Sequence, residues 1–263
     1  MVAVSATGAG LKGQVAAAYD RAAGGFASSA DRHVYSHLAR PLADALAGAG
    51  GPVLDVAAGS GALGRLLAVP AVALDLSPGQ LAGNPLAARV CGDAERLPFA
   101  DATFAAAACA FGVNHLPDPL AAVREMARVA PVVALLTWSR PEPAYAPKQA
   151  VQAVIDRHAG AGGGRSAVGR LLDGLGDAVG SPGVLAGLLT RAGLAAEARE
   201  VDGEVPWPGA EAFVDYRMAM VTLPDLGDDA GAVRREAIEA VAALPAGELA
   251  WRPRLVLAVG RQV

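Results

Sequence analysis

Short apolar runs alternate along the first half of the chain with segments in which apolar residues recur at helical spacing. Each run has the length and the apolar or β-branched content of a buried strand. Because strands that alternate with helices form right-handed βαβ units, the pattern predicts a parallel sheet with helices on both faces. The five predicted strands are residues 53–56, 72–76, 88–91, 104–113 and 132–139.

The second half is less regular, but its apolar periodicity still predicts helices and two further strands, 196–205 and 253–260. Ser77-Pro78 and Ser181-Pro182 each place a capping serine before a proline at the first helical position. Asp31 is a predicted N-cap near the N-terminus, and Gly193 ends the helix that follows Ser181. Besides a short helix after Ser77, the predicted helices are 11–26, 31–47, 62–68, 119–129, 146–158, 166–175, 182–192, 211–220 and 232–244.

The stretch VLDVAAGSG, residues 53–61, contains the least expected residue of the predicted sheet. Asp55 lies inside an apolar strand, where a polar group costs roughly 2–7 kcal/mol unless it is paired or solvated. It either caps the next turn or meets a cationic partner at the end of the strand, and the strand alone does not decide between them. Gly59 and Gly61 allow a tight turn and a close approach of a ligand to the backbone.

Polar residues stand at four predicted strand ends. Asp55 belongs to the first strand, Asp75 closes the second, Asp93 follows the third, and Asn114 with His115 follows the fourth. Ligands of open parallel sheets bind at the carboxyl ends of the strands, so we expect these residues to line one crevice. A carboxylate at the end of the second strand suits the two hydroxyls of a ribose.

The glycines also fit the dinucleotide pattern GxGxxG at Gly59, Gly61 and Gly64, so a nicotinamide cofactor is a rival interpretation. Two features disfavour it. Asp55 beside the glycines would repel a pyrophosphate, and a third carboxylate, Asp93, suits a nucleoside with a cationic tail better.

Composition narrows the classes of function. The net charge of −4 over 263 residues gives no sign of a nucleic-acid partner. The longest apolar runs, 105–113 and 129–138, are about half of the ~20 residues of a membrane span, and no signal peptide is recognisable. Cys91 and Cys109 have no metal or redox spacing, which favours reduced thiols and a cytoplasmic protein. The four histidines are scattered, so we expect no metal site.

Four segments together resemble one enzyme family: VLDVAAGSG, VALDLSPGQL, GDAERLPFADATF and FGVNHLPDP. They are similar to class I S-adenosylmethionine-dependent methyltransferases of the small-molecule type, near the ubiquinone/menaquinone-biosynthesis methyltransferases (methyltransferase type 11). The resemblance covers roughly residues 15–140. It implies an α/β fold, a Rossmann-like seven-stranded mostly parallel sheet with helices on both faces plus a helical lid, and S-adenosyl-L-methionine as cofactor. We expect a lid segment at 1–47, a cofactor-binding core at 48–140, and the rest of the core with helical lid insertions at 141–263.

The resemblance also implies roles for individual residues. Asp75 would hold the ribose hydroxyls, Asp93 would accept from the adenine amino group, and Tyr19 would close over the cofactor. Ala57 stands where the family usually has glycine, which is tolerable if its φ is negative. The expected cofactor-binding residues are Tyr19, Asp55, Ala57, Gly59, Gly61, Asp75, Leu76, Gln80, Asp93, Ala94, Phe111 and Asn114.

The reaction implied is methyl transfer by in-line displacement to a small, largely apolar or aromatic metabolite. Aromatic residues concentrate in the segments outside the alternating core, which favours a flat substrate. The candidate catalytic residues are His115, His33, His37 and Tyr216. We expect the segment 11–47 to fold over the cofactor about a hinge at residues 24–30, with Tyr19 and either His33 or His37 facing inward. The alternatives to a methyltransferase are a non-methylating cyclase, a binding protein and an NAD-dependent oxidoreductase. We expect the protein to be a monomer or a homodimer.

Overall fold

The computed structural model describes residues 8–25, 33–159, 164, 166–223, 226–245 and 247–263. Seven strands form one sheet: β1 Val53–Val56, β2 Ala71–Asp75, β3 Ala88–Cys91, β4 Ala106–Ala110, β5 Val132–Trp138, β6 Ala195–Asp202 and β7 Arg254–Arg261. Their order is β3-β2-β1-β4-β5-β7-β6. β7 runs antiparallel to β5 and β6, and the other pairs are parallel. The predicted seven-stranded, mostly parallel sheet is confirmed.

The fourth strand is shorter than the predicted 104–113. Phe111 has φ +57°, in the left-handed region, and this conformation ends the extended backbone after Ala110. A 3₁₀ turn at Val113–His115 follows at once. The periodicity of the apolar run did not reveal this turn, which places His115 at the carboxyl edge of the sheet.

The helices follow the predicted pattern with modest shifts of their ends. Ser77 Oγ accepts a hydrogen bond from Gln80 N, and Ser181 accepts one from Val184 N, so both predicted caps are confirmed. The helices are α1 Gly8–Gly25, α2 Ser36–Leu38, α3 Arg40–Ala45, α4 Pro78–Ala82, α5 Pro119–Val129, α6 Ala146–Ala159, α7 Ala167–Val179, α8 Pro182–Arg191, α9 Ala210–Met218 and α10 Ala230–Ala242.

One predicted helix is wrong, and one predicted helix cap lies outside the described residues. The predicted helix 62–68 is wrong, because that stretch contains only a 3₁₀ turn at Gly64–Leu66 before Leu67 becomes extended. So short a connection between two strands does not repay the cost of nucleating an α-helix. The predicted cap Asp31 and most of the predicted hinge lie outside the described residues.

Helices cover both faces of the sheet. α5 and α8 pack with the buried side chains of one face, and α3, α6, α9 and α10 pack with those of the other. β1 is buried at all four positions, and β4 reads AAACA, whose small side chains let covering elements approach closely. Among the described residues, no helix is both long and apolar enough to cross a membrane.

The strand order reverses between β1 and β4, since β2 and β3 lie on one side of β1 while β4 and β5 lie on the other. Such a reversal opens a crevice at the carboxyl ends of the two central strands. α1 lies beside this crevice and is joined to α4, because Asp20 Oδ1 accepts hydrogen bonds from Ser77 Oγ at 2.5 Å and from Gly79 N at 2.8 Å. The fold therefore provides a crevice and places α1 at its edge.

Candidate active site

A cleft of about 1040 Å³ occupies the crevice at the carboxyl ends of β1, β2 and β4. We refer to it as the cofactor cleft. Of the twelve cofactor-binding residues predicted from the sequence, Gly61 and Asn114 do not line this cleft. The remaining ten do: Tyr19, Asp55, Ala57, Gly59, Asp75, Leu76, Gln80, Asp93, Ala94 and Phe111.

Asp75 ties the first loop of the cleft to the second. Its Oδ2 accepts a hydrogen bond from Gly59 N at 2.8 Å, and its Oδ1 accepts one from Ser77 N at 2.9 Å. Burial raises the pKa of this carboxyl above its ordinary value, although the backbone N–H groups lower it in part. A carboxylate oxygen has more than one lone pair, so each oxygen can still accept from a ligand hydroxyl.

The three glycines of the GxGxxG pattern have separate structural reasons. Gly59 has φ +52° and lines the cleft. A Cβ at Gly61 would lie 2.7 Å from Pro85 Cδ, and one at Gly64 would lie 2.8 Å from Leu86 Cδ1. Gly61 also has φ +94°, so packing and backbone conformation both account for it, while packing against Leu86 favours a small residue at position 64. The spacing therefore needs no dinucleotide to explain it.

Ala57 has a strained backbone conformation. Its φ is +54°, so the condition under which alanine replaces glycine without strain, a negative φ, is not met. The loop turns sharply from β1 towards Gly59, and a residue in the left-handed region is needed for that turn. Gly112 makes room for it, because a Cβ at Gly112 would lie 2.5 Å from Ala57 Cβ and 2.8 Å from Cys109 Sγ. The strain at Ala57 is of the order of 1–2 kcal/mol.

Gln80 carries a buried polar atom that faces the cleft. Its Nε2 donates to the backbone oxygen of Tyr19 at 3.1 Å, but its Oε1 has no hydrogen-bond partner among the described residues. A Cβ built at Gly59 would lie 3.7 Å from Oε1, which places this acceptor beside the glycine loop. A buried acceptor of this kind calls for a donor, and a ligand in the cleft would supply one.

Asp93 is held by a residue that the sequence did not reveal as part of the site. Lys12 Nζ lies 2.7 Å from Asp93 Oδ2 and 2.5 Å from Glu95 Oε2. Burial lowers the pKa of Lys12, but its two hydrogen bonds to carboxylates outweigh that effect and raise the pKa overall. Lys12, Val15 and Tyr19 all line the cleft. Their spacing of three and four residues on one helix face is the signal that could have found Lys12.

A second cavity, of about 880 Å³, adjoins the cofactor cleft. Tyr19, Tyr35 and His115 line both spaces. Asn114 and Tyr216 line the second cavity, where Asn114 Oδ1 accepts a hydrogen bond from Thr137 Oγ1 at 3.3 Å. Burial raises the pKa of Tyr216 to about 12, so its phenol stays protonated at neutral pH.

Tyr19 and His115 form a pair at the junction of the two spaces. The Tyr19 hydroxyl oxygen lies 3.1 Å from His115 Nδ1, and the two ring centroids are 5.5 Å apart. Burial lowers the pKa of His115 to about 4, so the imidazole is neutral at pH 7. Burial, with smaller contributions from Asp75 and Tyr216, raises the pKa of Tyr19. Both groups are therefore uncharged when a ligand arrives.

The expectation that His33 or His37 faces inward is wrong. Neither residue lines the cofactor cleft or the second cavity. His33 instead approaches Trp207, with ring centroids 6.1 Å apart, and His37 is exposed. Residues 33–35 form a π-helical turn, which changes the angle between successive side chains and turns Tyr35 inward instead. Tyr35, and neither histidine, is thus the residue of this turn that lines both spaces.

Within the part of the chain that the structure describes, no group of three or more His, Cys, Asp or Glu side chains is placed to hold a metal ion. Cys91 is exposed and Cys109 is buried, and both are free thiols.

Comparison with known proteins decides between the rival interpretations of this cleft. A family model described as a methyltransferase domain matches residues 54–131, which contain the glycine loop, Asp75, Asp93 and His115. Residues 54–131 are a class I methyltransferase domain. The cofactor of this class is S-adenosyl-L-methionine, and the predicted resemblance is confirmed.

Curated relatives match the methyltransferase domain over part of their length. A demethylmenaquinone methyltransferase of Mycobacterium marinum is 46% identical over 87 residues, which are 31% of this chain and 38% of the relative. One from Beutenbergia cavernae is 40% identical over 121 residues, 43% of this chain and 50% of the relative. The chain thus spans at most about half the length of these two relatives.

The likeness of fold extends further along the chain. A solved putative methyltransferase from an antibiotic biosynthesis pathway of Anabaena variabilis superimposes with a TM-score of 0.59. That comparison covers 84% of this chain and 98% of the solved chain at 15% sequence identity. The elements beyond residue 131 therefore continue the fold of the methyltransferase domain.

Proposed function

We propose that this chain transfers a methyl group from S-adenosyl-L-methionine to a small, largely apolar or aromatic metabolite. The observation that carries the proposal is the junction of two spaces, a cleft suited to the cofactor and an aromatic cavity, with Tyr19, Tyr35 and His115 lining both. Two reactants held at such a junction meet without diffusing through solvent, which removes much of the entropic cost of a bimolecular step.

The residues of the cleft fit the cofactor. Asp75 would accept hydrogen bonds from the ribose hydroxyls, and Asp93 would accept one from the adenine amino group beside the Ala94 amide. Gln80 Oε1 provides a further buried acceptor beside Gly59. Asp55 is 1% exposed and lines the cleft, so a positively charged ligand group would offset the cost of its burial.

When bound, S-adenosyl-L-methionine supplies a methyl group on a sulfonium, and its sulfur keeps the electron pair of the broken C–S bond. The protein's own part is to align the acceptor, to exclude water and to take a proton where the acceptor loses one. We assign the last role to His115, whose neutral imidazole has an acceptor nitrogen at pH 7. For a hydroxyl acceptor, the oxygen lone pair forms the new bond to carbon and the hydroxyl proton passes to His115.

Tyr19 positions His115 in this proposal. If the Tyr19 hydroxyl donates to Nδ1, the proton of the neutral imidazole sits on Nε2. If the Tyr19 hydroxyl instead accepts from Nδ1–H, Nε2 carries no proton and can accept one. Only the second arrangement makes Nε2 a base. The pair therefore couples the tautomer of His115 to the position of α1, which carries Tyr19.

We further propose that α1 acts as a cover of the cofactor cleft, as part of a lid segment at 1–47. Three contacts hold it there: Lys12 with Asp93 and Glu95, Asp20 with Ser77 and Gly79, and Gln80 with the backbone of Tyr19. The first of these engages the carboxylate that we assign to the adenine. Entry of the cofactor then requires Lys12 to move or to share Asp93.

The class of acceptor draws some support from the relatives, whose name specifies demethylmenaquinone for those proteins. We extend to this chain only a quinone-like or other aromatic ring, because the match covers less than half of the chain. We also propose that the chain acts on its substrate without nucleic acid, as a monomer or homodimer.

Mass spectrometry with methyl-labelled S-adenosylmethionine tests the proposal directly. Purified protein is incubated with a panel of phenols, naphthols and quinols, and each product is examined for the labelled methyl group. We expect one substrate class to gain the label at a rate that falls strongly in His115→Gln. A protein that binds the cofactor and rearranges a substrate of the panel without gaining the label would instead be a cyclase on the same fold.

A further inference from the structure

Lys12 lies between two carboxylates that line the cofactor cleft. Its Nζ is 2.7 Å from Asp93 Oδ2 and 2.5 Å from Glu95 Oε2, and Lys12 lines the cleft as well. The side chain of Lys12 is 21% exposed and that of Glu95 is 14% exposed, so water screens their contact only in part. One cation therefore serves two anions in the wall of the site.

The backbone holds each carboxylate through its other oxygen. Asp93 Oδ1 accepts a hydrogen bond from Glu95 N at 2.9 Å, and Glu95 Oε1 accepts one from Asp118 N at 3.0 Å. Both bonds keep the carboxylates in place without help from Lys12. Lys12 itself reaches them from α1 on a flexible four-carbon side chain. The ammonium can therefore change its position at less cost than either carboxylate.

Asp93 Oδ2 is the oxygen for which the ammonium and a purine would compete. The proposed function gives Asp93 the amino group at C6 of adenine, and Asp93 Oδ1 already accepts from Glu95 N. An amino group carries partial positive charge on its hydrogens, so an ammonium on the same oxygen repels it. A 6-amino purine at Asp93 therefore favours movement of Lys12 towards Glu95.

A purine with oxygen at C6 meets the same ammonium differently. The carbonyl oxygen of hypoxanthine accepts hydrogen bonds, and a carboxylate beside it repels it. Lys12 Nζ, which lies 2.7 Å from Asp93 Oδ2, would donate to such an oxygen and offset this repulsion. The cation thus opposes a 6-amino purine and favours a 6-oxo purine at the same position.

We propose that Lys12 sets how strictly the cofactor cleft selects adenine over hypoxanthine, by competing with the 6-amino group for Asp93 Oδ2, and that Glu95 holds Lys12 while that group is bound. The inference rests on the proposed function for one point, the assignment of the adenine amino group to Asp93. It gives Glu95 a second role, because its contact with Lys12 keeps α1 joined to the wall of the cleft when the ligand engages Asp93.

The test compares S-adenosylhomocysteine with S-inosylhomocysteine, which differs in the group at C6 and in the proton on N1. Calorimetry gives the Kd of each for the full chain at pH 7, and the base preference is the inosyl Kd divided by the adenosyl Kd. Lys12→Met should raise this preference roughly 3–30-fold, between the effects of an exposed ion pair and of a charge-assisted hydrogen bond. Loss of support for α1 affects both ligands alike and cancels in the ratio.

Glu95→Gln should change the base preference in the opposite direction. The amide keeps an oxygen for Asp118 N but no longer attracts the ammonium, so Lys12 stays on Asp93 and opposes the amino group more strongly. We expect the preference to fall at least about twofold. In the double variant the preference should equal that of Lys12→Met, because Glu95 acts through Lys12. A merely structural role of either residue would not give changes of opposite sign.

Arg21→Met is the matched control, since it removes a cation from an exposed position of the same helix. Its base preference should equal that of the unmutated protein. Circular dichroism and the binding of S-adenosylhomocysteine report an intact fold in each variant. If Lys12→Met does not fold, Glu95→Gln decides the inference.

The inference is overturned if a folded Lys12→Met keeps or lowers the base preference, or if a folded Glu95→Gln keeps or raises it. A failure of the proposed function gives a different result, in which the unmutated protein binds neither homocysteine ligand. That result overturns both proposals, whereas binding with a preference that Lys12 does not affect overturns the inference alone.

Discussion

The hydroxyl oxygen of Tyr19 lies 3.1 Å from Nδ1 of His115, across 96 residues of sequence. This contact joins α1, which lines the cofactor cleft, to the 3₁₀ turn that follows β4. It also marks the boundary between the cofactor cleft and the second cavity. In the proposed function, the cover helix α1, the cofactor and the methyl acceptor would all meet at this pair of side chains.

The low pKa of His115 predicts a pH-dependent stability. Its pKa is about 4 in the fold and 6.5 in the unfolded chain, so the unfolded state binds more protons between these values. Stability therefore rises with pH through this window and is lost on acidification. At pH 4.5, relative to pH 7, we expect the unmutated protein to lose ~2–3 kcal/mol more than His115→Gln in urea unfolding. Equal losses in the two proteins would contradict a buried neutral imidazole.

Catalysis by the pair predicts non-additive kinetics. His115→Gln should lower kcat by roughly 10²–10⁴-fold with little change in the Kd of S-adenosylhomocysteine. Tyr19→Phe keeps the ring but removes the hydroxyl, so its effect should be smaller. The double variant should be no slower than His115→Gln, because a positioning residue has no effect once its partner is gone. His33→Ala and His37→Ala serve as controls and should turn over normally. Additive losses would show that the two residues act separately.

The left-handed Ala57 predicts an unusual response to glycine. Ala57→Gly relieves strain of ~1–2 kcal/mol but costs ~0.5–1 kcal/mol of backbone entropy, so stability should be unchanged or up to about 1.5 kcal/mol higher. Ala186→Gly, in the middle of α8, should instead lower stability by ~1 kcal/mol. Gly112→Ala should destabilise strongly, and Ala57→Gly should rescue part of that loss by removing the closest contact. Equal destabilisation by Ala57→Gly and Ala186→Gly would contradict the observed φ.

The hydrogen bonds of Asp20 should hold α1 against the start of α4. Asp20→Ala removes acceptors for Ser77 Oγ and Gly79 N, each bond contributing roughly 1.5–3 kcal/mol if charge-assisted. Amide hydrogen exchange of α1 should become at least about tenfold faster, while that of α5 stays the same. Arg21→Ala changes the neighbouring, exposed residue of the same helix and should leave exchange unaltered. Unchanged exchange in Asp20→Ala would argue against Asp20 as the tether.

The sequence predicted the sheet well, because each strand of the first half is a short apolar run with clear polar or glycine boundaries. It also predicted that Asp55, Asp75 and Asp93 lie at one edge of the sheet, because the carboxyl ends of parallel strands meet at the same edge. It missed Lys12, because the role of that residue depends on where α1 lies. It wrongly predicted that His33 or His37 faces inward, because a π-helical turn at residues 33–35 departs from regular helical spacing. Likewise, the pattern gave no sign of the positive φ at Ala57 and Phe111, which belong to the sharp turn after β1 and to the turn after β4.

Calorimetry with S-adenosylhomocysteine and with NAD tests the central claim most directly. We predict that S-adenosylhomocysteine binds and NAD does not, and that at 100 times its Kd S-adenosylhomocysteine stabilises the fold by about 2.7 kcal/mol. Asp75→Ala should weaken this binding at least about tenfold, with native circular dichroism, since the carboxylate that we assign to the ribose is gone. Asp44→Ala, an exposed aspartate of α3, is the matched control and should bind normally. Binding of NAD without binding of S-adenosylhomocysteine would contradict the account.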